Sequence, residues 1–197
     1  MKLIVGLGNP GRKYAGSRHN VGFDVAAQLV RQHAQGSVRG RFHAEVVEVR
    51  IGGTSALVVC PNTYMNRSGQ SVRAACDYYK VSMVDLFVIC DDMNLPLGRI
   101  RIRPRGSSGG QKGLQDIIRC LGTDQVPRLR IGIGRPPEQW DPVDYVLGKF
   151  STADRELVDQ ATARAARAAC DWASQGIEYC MNHYNAAPDG GHAVPGE

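Results

Sequence analysis

The sequence predicts one compact α/β domain, and three observations carry the reading. Two short unbroken apolar runs, KLIVGL at 2–7 and LFVIC at 86–90, stop abruptly at turn-forming or acidic residues, as buried central strands do. Segments with apolar residues at helical spacing follow them, so strands and helices alternate along the chain. The 197 residues, 43% of them hydrophobic, suffice to bury one substantial core and are too few for two comfortable α/β domains.

The first run ends at Gly8-Asn9-Pro10-Gly11, a tight turn. A helix is expected from Val21 to His33, with Asn20 as its N-cap and Phe23, Ala26, Ala27 and Val30 at helical spacing. Residues 44–51 alternate and 56–60 are apolar, so the two read as a hairpin turning at Gly52-Gly53. The loop PNTYMNRSG leads into a helix over 69–79. The second apolar run ends at Asp91-Asp92, a telling place, because sites in open α/β sheets collect beyond the carboxyl ends of the central strands. Residues 99–103 alternate strictly, setting Ile100 and Ile102 against a row of guanidinium groups from Arg99, Arg101 and Arg103. The glycine-rich loop 106–110 opens a helix carrying Leu114, Ile117, Ile118 and Leu121. A last strand puts Leu129, Ile131 and Ile133 on one face and Arg128, Arg130 and Gly132 on the other, repeating the basic pattern. From Ser151, an N-cap with Asp154 at the third helical position, a long helix presents Leu157, Val158, Ala161, Ala165, Ala168 and Trp172 as one stripe. Residues 1–185 thus form the domain. Residues 186–197, small, polar and rich in Gly and Pro, read as a flexible tail.

The formal net charge of +5, dominated by Arg, favours an anionic partner such as nucleic acid. Six scattered cysteines without a C-x-x-C pair read as reduced thiols, and the apolar stretch at the amino end, Leu3 to Leu7, is too short for a signal-peptide core or a membrane span. A cytoplasmic protein that does not enter membranes is the expectation. Metal binding is disfavoured, because the Cys and His residues lack ligand spacing.

Two glycine motifs offer rival chemistry. Gly6, Gly8 and Gly11 match the dinucleotide pattern, but Pro10 and the polar run 12–18 delay the helix that a phosphate-binding turn must open. Gly106 to Gly110 match the G-x-S-x-G elbow of serine hydrolases, with Asp141 or Asp144 and His183 downstream, yet Pro104 and Arg105 part the strand from the turn. A loop closing over a phosphate is the plainer reading, and Asp92 is read as a turn or capping residue. His19 differs from the other four histidines by its neighbours Asn9, Tyr14, Arg18 and Asn20, which can position it or its substrate. An imidazole is a suitable general base for water, and a carboxylate at a neighbouring strand end, best placed at Asp91, can fix its tautomer.

These residues carry a resemblance. GLGNPGRKYAGSRHNVGFD, PNTYMNRSG, DDMNLPLGRIRIRPRGSSGGQKGLQDII, RLRIGIGRP and YVLGKF occur in the order found in bacterial peptidyl-tRNA hydrolases, and the chain resembles that family over 1–185. The resemblance implies a single α/β domain with a twisted mixed sheet flanked by helices, monomeric, without obligate protein partner and without cofactor. It implies a reaction, hydrolysis of the ester between a peptide and the 3′ ribose of its tRNA, and peptidyl-tRNA as the partner. By analogy His19 is the base, Asp91 its orienting partner, and Asn9 and Asn66 the amides that hold the ester and peptide. Tyr14 and Met65 line the place where the tRNA end meets the peptide, and Arg103 and Arg130 correspond to a phosphate clamp. One block departs from the family, with Gln111-Lys112 where His-Asn is usual. Lys112 there donates and adds charge but accepts nothing. A silent RNA-binding relative and a serine hydrolase acting through Ser108 remain as alternatives, separable by a hydrolysis assay and a serine-directed inhibitor.

Overall fold

The structure is a computed structural model that describes residues 1–186. The tail expected over 186–197 therefore lies outside the described residues from 187 onward. In chain order the elements are β1 (Lys2–Gly6), α1 (Val21–His33), β2 (Arg39–Arg41), β3 (Ala44–Ile51), β4 (Thr54–Pro61), α2 (Ser68–Tyr79), β5 (Leu86–Asp92), β6 (Ile100–Arg103), α3 (Lys112–Leu121), β7 (Arg128–Gly132), α4 (Pro142–Leu147) and α5 (Thr152–Tyr184). The strands form one mixed sheet in the order β2-β3-β4-β1-β5-β7-β6. The central pairs β1·β4, β1·β5 and β5·β7 are parallel, whereas β2, β3 and β6 add on antiparallel.

Alternation along the central strands divides the core in two. Ile4, Phe87, Ile89 and Ile131 face α1 and α5, where Phe87 stacks on Trp172 at 4.8 Å. Leu3, Val5, Leu57 and Val88 face α2 and α3, meeting Val72, Leu114 and Ile117. Both faces of the parallel strands are thus covered, which is why β1 and β5 read as unbroken apolar runs.

β1 lies between β4 and β5; α1, which follows β1, packs on one face of the sheet and α2, which joins β4 to β5, on the other, and a crevice opens beyond the carboxyl ends of β1 and β5. The crevice is kept tight by small residues. A Cβ on Gly22, at the start of α1, would lie 2.5 Å from the backbone of both Leu7 and Ile89. Gly8 is pressed against the Phe23 ring in the same way. Gly6 and Gly8 of the dinucleotide-like pattern serve this close helix-strand approach, whereas Gly11 takes a left-handed φ of 102° in the turn with open space around it.

Several expectations are corrected. β2 and α4 have no counterpart in the sequence reading, and Leu157, placed on the buried stripe of α5, is 49% exposed. Ser151 does cap α5, accepting from the Asp154 N–H, but the side chain of Asn20 makes no capping bond to α1. The alternation of β7 does not create an exposed basic face. β7 lies between β5 and β6, and both Arg128 and Arg130 are buried. On the neighbouring edge strand, Arg101 and Arg103 are exposed as expected.

α5 is interrupted at Gly176 (φ 84°, ψ 179°), a left-handed, extended conformation suited to glycine. The chain then reaches back so that Asn185, just past the helix, accepts from the Ile102 N–H at 2.7 Å and donates to the Ile102 carbonyl at 3.0 Å. One side chain so occupies both outward backbone groups of that residue on β6.

Candidate active site

The crevice holds a cavity of about 320 Å³, lined among others by Asn9, His19, Met65, Asn66, Asp91 and Lys112. Each comes from a segment leaving the carboxyl end of a parallel strand or from the first turn of α3. His19 Nδ1 is 2.8 Å from Asp91 Oδ2, and both residues are buried. The sequence pairing of the two is matched by the geometry. With the carboxylate accepting, Nδ1 carries the proton and the Nε2 lone pair is left for a ligand.

Asn9 is fixed from three sides. Its backbone N–H donates to Asn20 Oδ1 (2.8 Å), its carbonyl accepts from Asn20 Nδ2 (3.0 Å), and its own Oδ1 accepts from the Met65 N–H (2.8 Å). That last bond orients the amide, so Nδ2, without a partner among the described residues, is the donor left over. Asn20 itself uses its whole amide on the Asn9 backbone and lies outside the cavity lining, so its assignment to substrate contact is revised to support of Asn9. Tyr14 also lies outside the lining; the Lys13 ammonium stands 4.7 Å over its ring.

Asp91 has a second partner that the sequence reading missed. Gln111, the N-cap of α3, donates from Nε2 to Asp91 Oδ1 at 3.0 Å, and its Oε1 accepts from the Leu114 N–H at 2.6 Å. The signal in the sequence was faint, an amide standing immediately before an apolar helical pattern. Lys112 follows as the first residue of α3, exposed at the mouth of the cavity. The opposite wall is apolar, built from Met93 and from Pro142, Val143, Val146 and Leu147 of α4. The residue spacing of that segment does not mark it as a wall. Arg18 holds it in place, donating to the carbonyls of Tyr145 (3.4 Å) and Lys149 (2.9 Å) and stacking over the Tyr145 ring at 4.2 Å.

The arginines of β7 act inside the protein. Arg130 pairs with Asp92 (3.0 Å) and donates to the Ser107 carbonyl (2.7 Å); Arg128 donates to the carbonyls of Gly106, Ser107 and Asp124. Burial, and next the charge of Arg130, bring the Arg128 guanidinium down from 12.5 to about 10. Together they brace the glycine-rich loop, and Gly109 (φ 59°) packs so closely on Arg130 that a Cβ would lie 2.7 Å from its Nη1. Asp92 Oδ1 also closes a turn onto the Asn94 N–H (2.7 Å), as expected of a turn residue. Arg103 stands in register with Arg128, three residues along β7 from the partner of Asp91, which is roughly 10 Å at strand rise.

The serine-hydrolase alternative finds no support here. His183 Nδ1 contacts the Tyr179 carbonyl and its ring stacks on Tyr179, while Asp141 caps α4.

The family model described as "Peptidyl-tRNA hydrolase" matches residues 3–191. The chain belongs to the peptidyl-tRNA hydrolase family. It is 54% identical over 187 residues to the peptidyl-tRNA hydrolase of Rhodopirellula baltica, covering 95% of this chain and 98% of that protein. The peptidyl-tRNA hydrolase of Desulforamulus reducens is 48% identical, over 94% of this chain and 89% of its own length. The crystal structure of peptidyl-tRNA hydrolase from Acinetobacter baumannii superposes with a TM-score of 0.87 at 36% identity, covering 94% of this chain and 95% of that one. The single-domain α/β expectation agrees with this family fold. Among the described residues no helix is long and apolar enough to cross a membrane.

Proposed function

We propose that this peptidyl-tRNA hydrolase family member cuts the ester joining a peptide to the 3′ ribose of its tRNA, with His19 as general base. The observation that carries the reading is the buried His19–Asp91 contact of 2.8 Å beside a cavity that both residues line together with Asn9, whose Nδ2 is unspent among the described residues. His19 Nε2 takes a proton from water, and the water oxygen bonds to the ester carbonyl carbon. The carbonyl oxygen gathers negative charge, which the Asn9 amide stabilises with Asn66 beside it. As the carbonyl re-forms, the bond to the 3′ oxygen breaks and the imidazolium returns its proton to that oxygen. Peptide acid and free tRNA leave, and the base is regenerated.

The cavity wall matches the substrate. Apolar side chains from α4 and Met93 face the peptide side, while Lys112, at the positive end of α3, faces a phosphate at the tRNA end. The exposed Arg101 and Arg103 extend the positive surface away from the cavity. The same reading has the protein acting as a monomer in the cytoplasm, and sedimentation at the mass of one chain checks the first of these. The deciding experiment is hydrolysis of N-blocked aminoacyl-tRNA by the wild type and by His19→Ala. Turnover by the first and near-complete loss in the second is the expected result; equal turnover removes His19 from the mechanism, and none from either leaves an RNA binder.

A further inference from the structure

We infer that Gln111 is a positioning residue: oriented by the first turn of α3, it pins the Asp91 carboxylate through Oδ1 so that the other oxygen meets His19 Nδ1 and leaves Nε2 free to act. The inference deepens the reading of His19 as the base and rests on it for its catalytic consequence.

The series of bonds starts at the helix. The Leu114 N–H is one of the donors that the first turn of α3 cannot satisfy internally, and it points at Gln111 Oε1 from 2.6 Å. An N–H requires an acceptor, so the amide has one allowed orientation, with the oxygen toward Leu114 and the NH2 toward Asp91. The NH2 then donates to Asp91 Oδ1 at 3.0 Å, while its remaining neighbour is the Met65 sulfur at 3.2 Å. Oδ1 is thereby held as an acceptor. The other oxygen of the same buried carboxylate faces His19 Nδ1 at 2.8 Å. A carboxylate that accepts on both sides requires the imidazole proton on Nδ1 and leaves the Nε2 lone pair bare. The ionised carboxylate accepts from whatever faces it, so the Gln111 donor fixes where Asp91 sits, and a backbone N–H that cannot turn around fixes Gln111.

A residue that merely caps a helix would not transmit direction, and the distinction is testable by reversing one link. In Asp91→Asn, Gln111 still presents a donor, so the new amide must turn its oxygen to Gln111 and its NH2 to His19. That forces Nδ1 to accept and moves the proton to Nε2, the wrong tautomer. Adding Gln111→Glu inverts the series: the new carboxylate caps Leu114 with one oxygen and accepts from the NH2 of the amide introduced at position 91 with the other. The oxygen of that amide then faces His19 and restores the proton to Nδ1.

The experiment compares wild type, D91N and D91N/Q111E at about pH 8, where an unperturbed imidazole is neutral. It reads kcat and KM on N-blocked aminoacyl-tRNA and the His19 tautomer by 15N NMR. Expected is a fall in kcat on the order of 10²-fold or more in D91N with the proton on Nε2. In the double variant the proton should be back on Nδ1, with kcat at least roughly tenfold above D91N and KM little changed. Gln111→Met, which removes the donor and leaves Asp91 in place, serves if the double variant does not fold. It should lower kcat while the proton stays on Nδ1, because the ionised Asp91 can only accept but has lost the bond that places it. A double variant no faster than D91N with an unchanged tautomer overturns the inference, as does a Gln111→Met protein with wild-type kcat. The spectra need no substrate, so a wild type that fails to hydrolyse the ester refutes the proposed function while leaving the Gln111 assignment open to this same measurement.

Discussion

Arg130 and Arg103 look alike in the sequence, each alternating with apolar residues on a strand, and the structure predicts opposite behaviour on removal. The side chain of Arg130 is 10% exposed and that of its partner Asp92 is 8% exposed. Arg130→Met leaves a buried carboxylate without its counter-charge and takes from the Ser107 carbonyl the shorter of its two donors, and removing one member of such a pair costs about 3–5 kcal/mol. With a urea slope near 2 kcal/mol/M for a domain of this size, the unfolding midpoint should fall by about 2 M. Adding Asp92→Asn removes the orphaned charge and keeps the acceptor that serves Asn94, so the double variant should regain at least about 1 kcal/mol over Arg130→Met. Arg103→Met leaves an exposed position and should change stability by less than about 0.5 kcal/mol. The order reverses in binding. If Arg103 meets a phosphate, its loss lowers the slope of log affinity against log salt by just under one, roughly 0.7–0.9, whereas Arg130→Met leaves that slope unchanged. Urea titrations and tRNA anisotropy across a salt series read both quantities. An Arg130→Met protein of wild-type stability with a reduced salt slope would overturn this division between an inner and an outer arginine.

Three further outcomes are expected. His19→Ala should lower kcat by about 10²–10⁴ while tRNA affinity stays within twofold, as measured by single-turnover hydrolysis and anisotropy. Gly22→Ala drives a methyl against backbone atoms of Leu7 and Ile89 that cannot move independently, so it should cost at least about 1–3 kcal/mol by urea unfolding and reduce activity through the shifted base. Burial is the largest influence on the Asp24 carboxyl and, despite the adjacent Arg155, raises it above its ordinary 3.8. A raised carboxyl contributes stability below the unfolded value and loses it as pH climbs through the folded one. Asp24→Asn should therefore be at least as stable as wild type at neutral pH, with its relative advantage shrinking under acid in thermal scans.

The sequence made the architecture legible wherever burial is complete or strictly alternating. β1 and β5 announce themselves as unbroken apolar runs because helices cover both their faces, and the β3–β4 hairpin is visible because one glycine pair sits between two patterned strands. β2 and α4 escaped notice for lack of length: three exposed or half-buried residues and a turn and a half of helix carry no period to detect. Arg128 and Arg130 were misjudged for a different reason. Alternation separates two faces but does not say which is wet, and β6 together with the loop at 106–110 encloses the face that the charges occupy. His19 and Asp91 were recoverable because their residue types announce chemistry. Gln111 was not, since an uncharged amide acquires its meaning only from the two groups it happens to bridge.

The contact of Asn185 with Ile102 bears on the solution behaviour of the whole molecule. β6 ends the sheet, and a terminal strand with unsatisfied amides is a template onto which another polypeptide can zip. A single carboxamide, delivered there by the break at Gly176, plugs the template at its middle. A protein shortened to residue 184 would keep His19 and Asp91 and still become prone to self-association, clumping through a border that the longer chain keeps sealed.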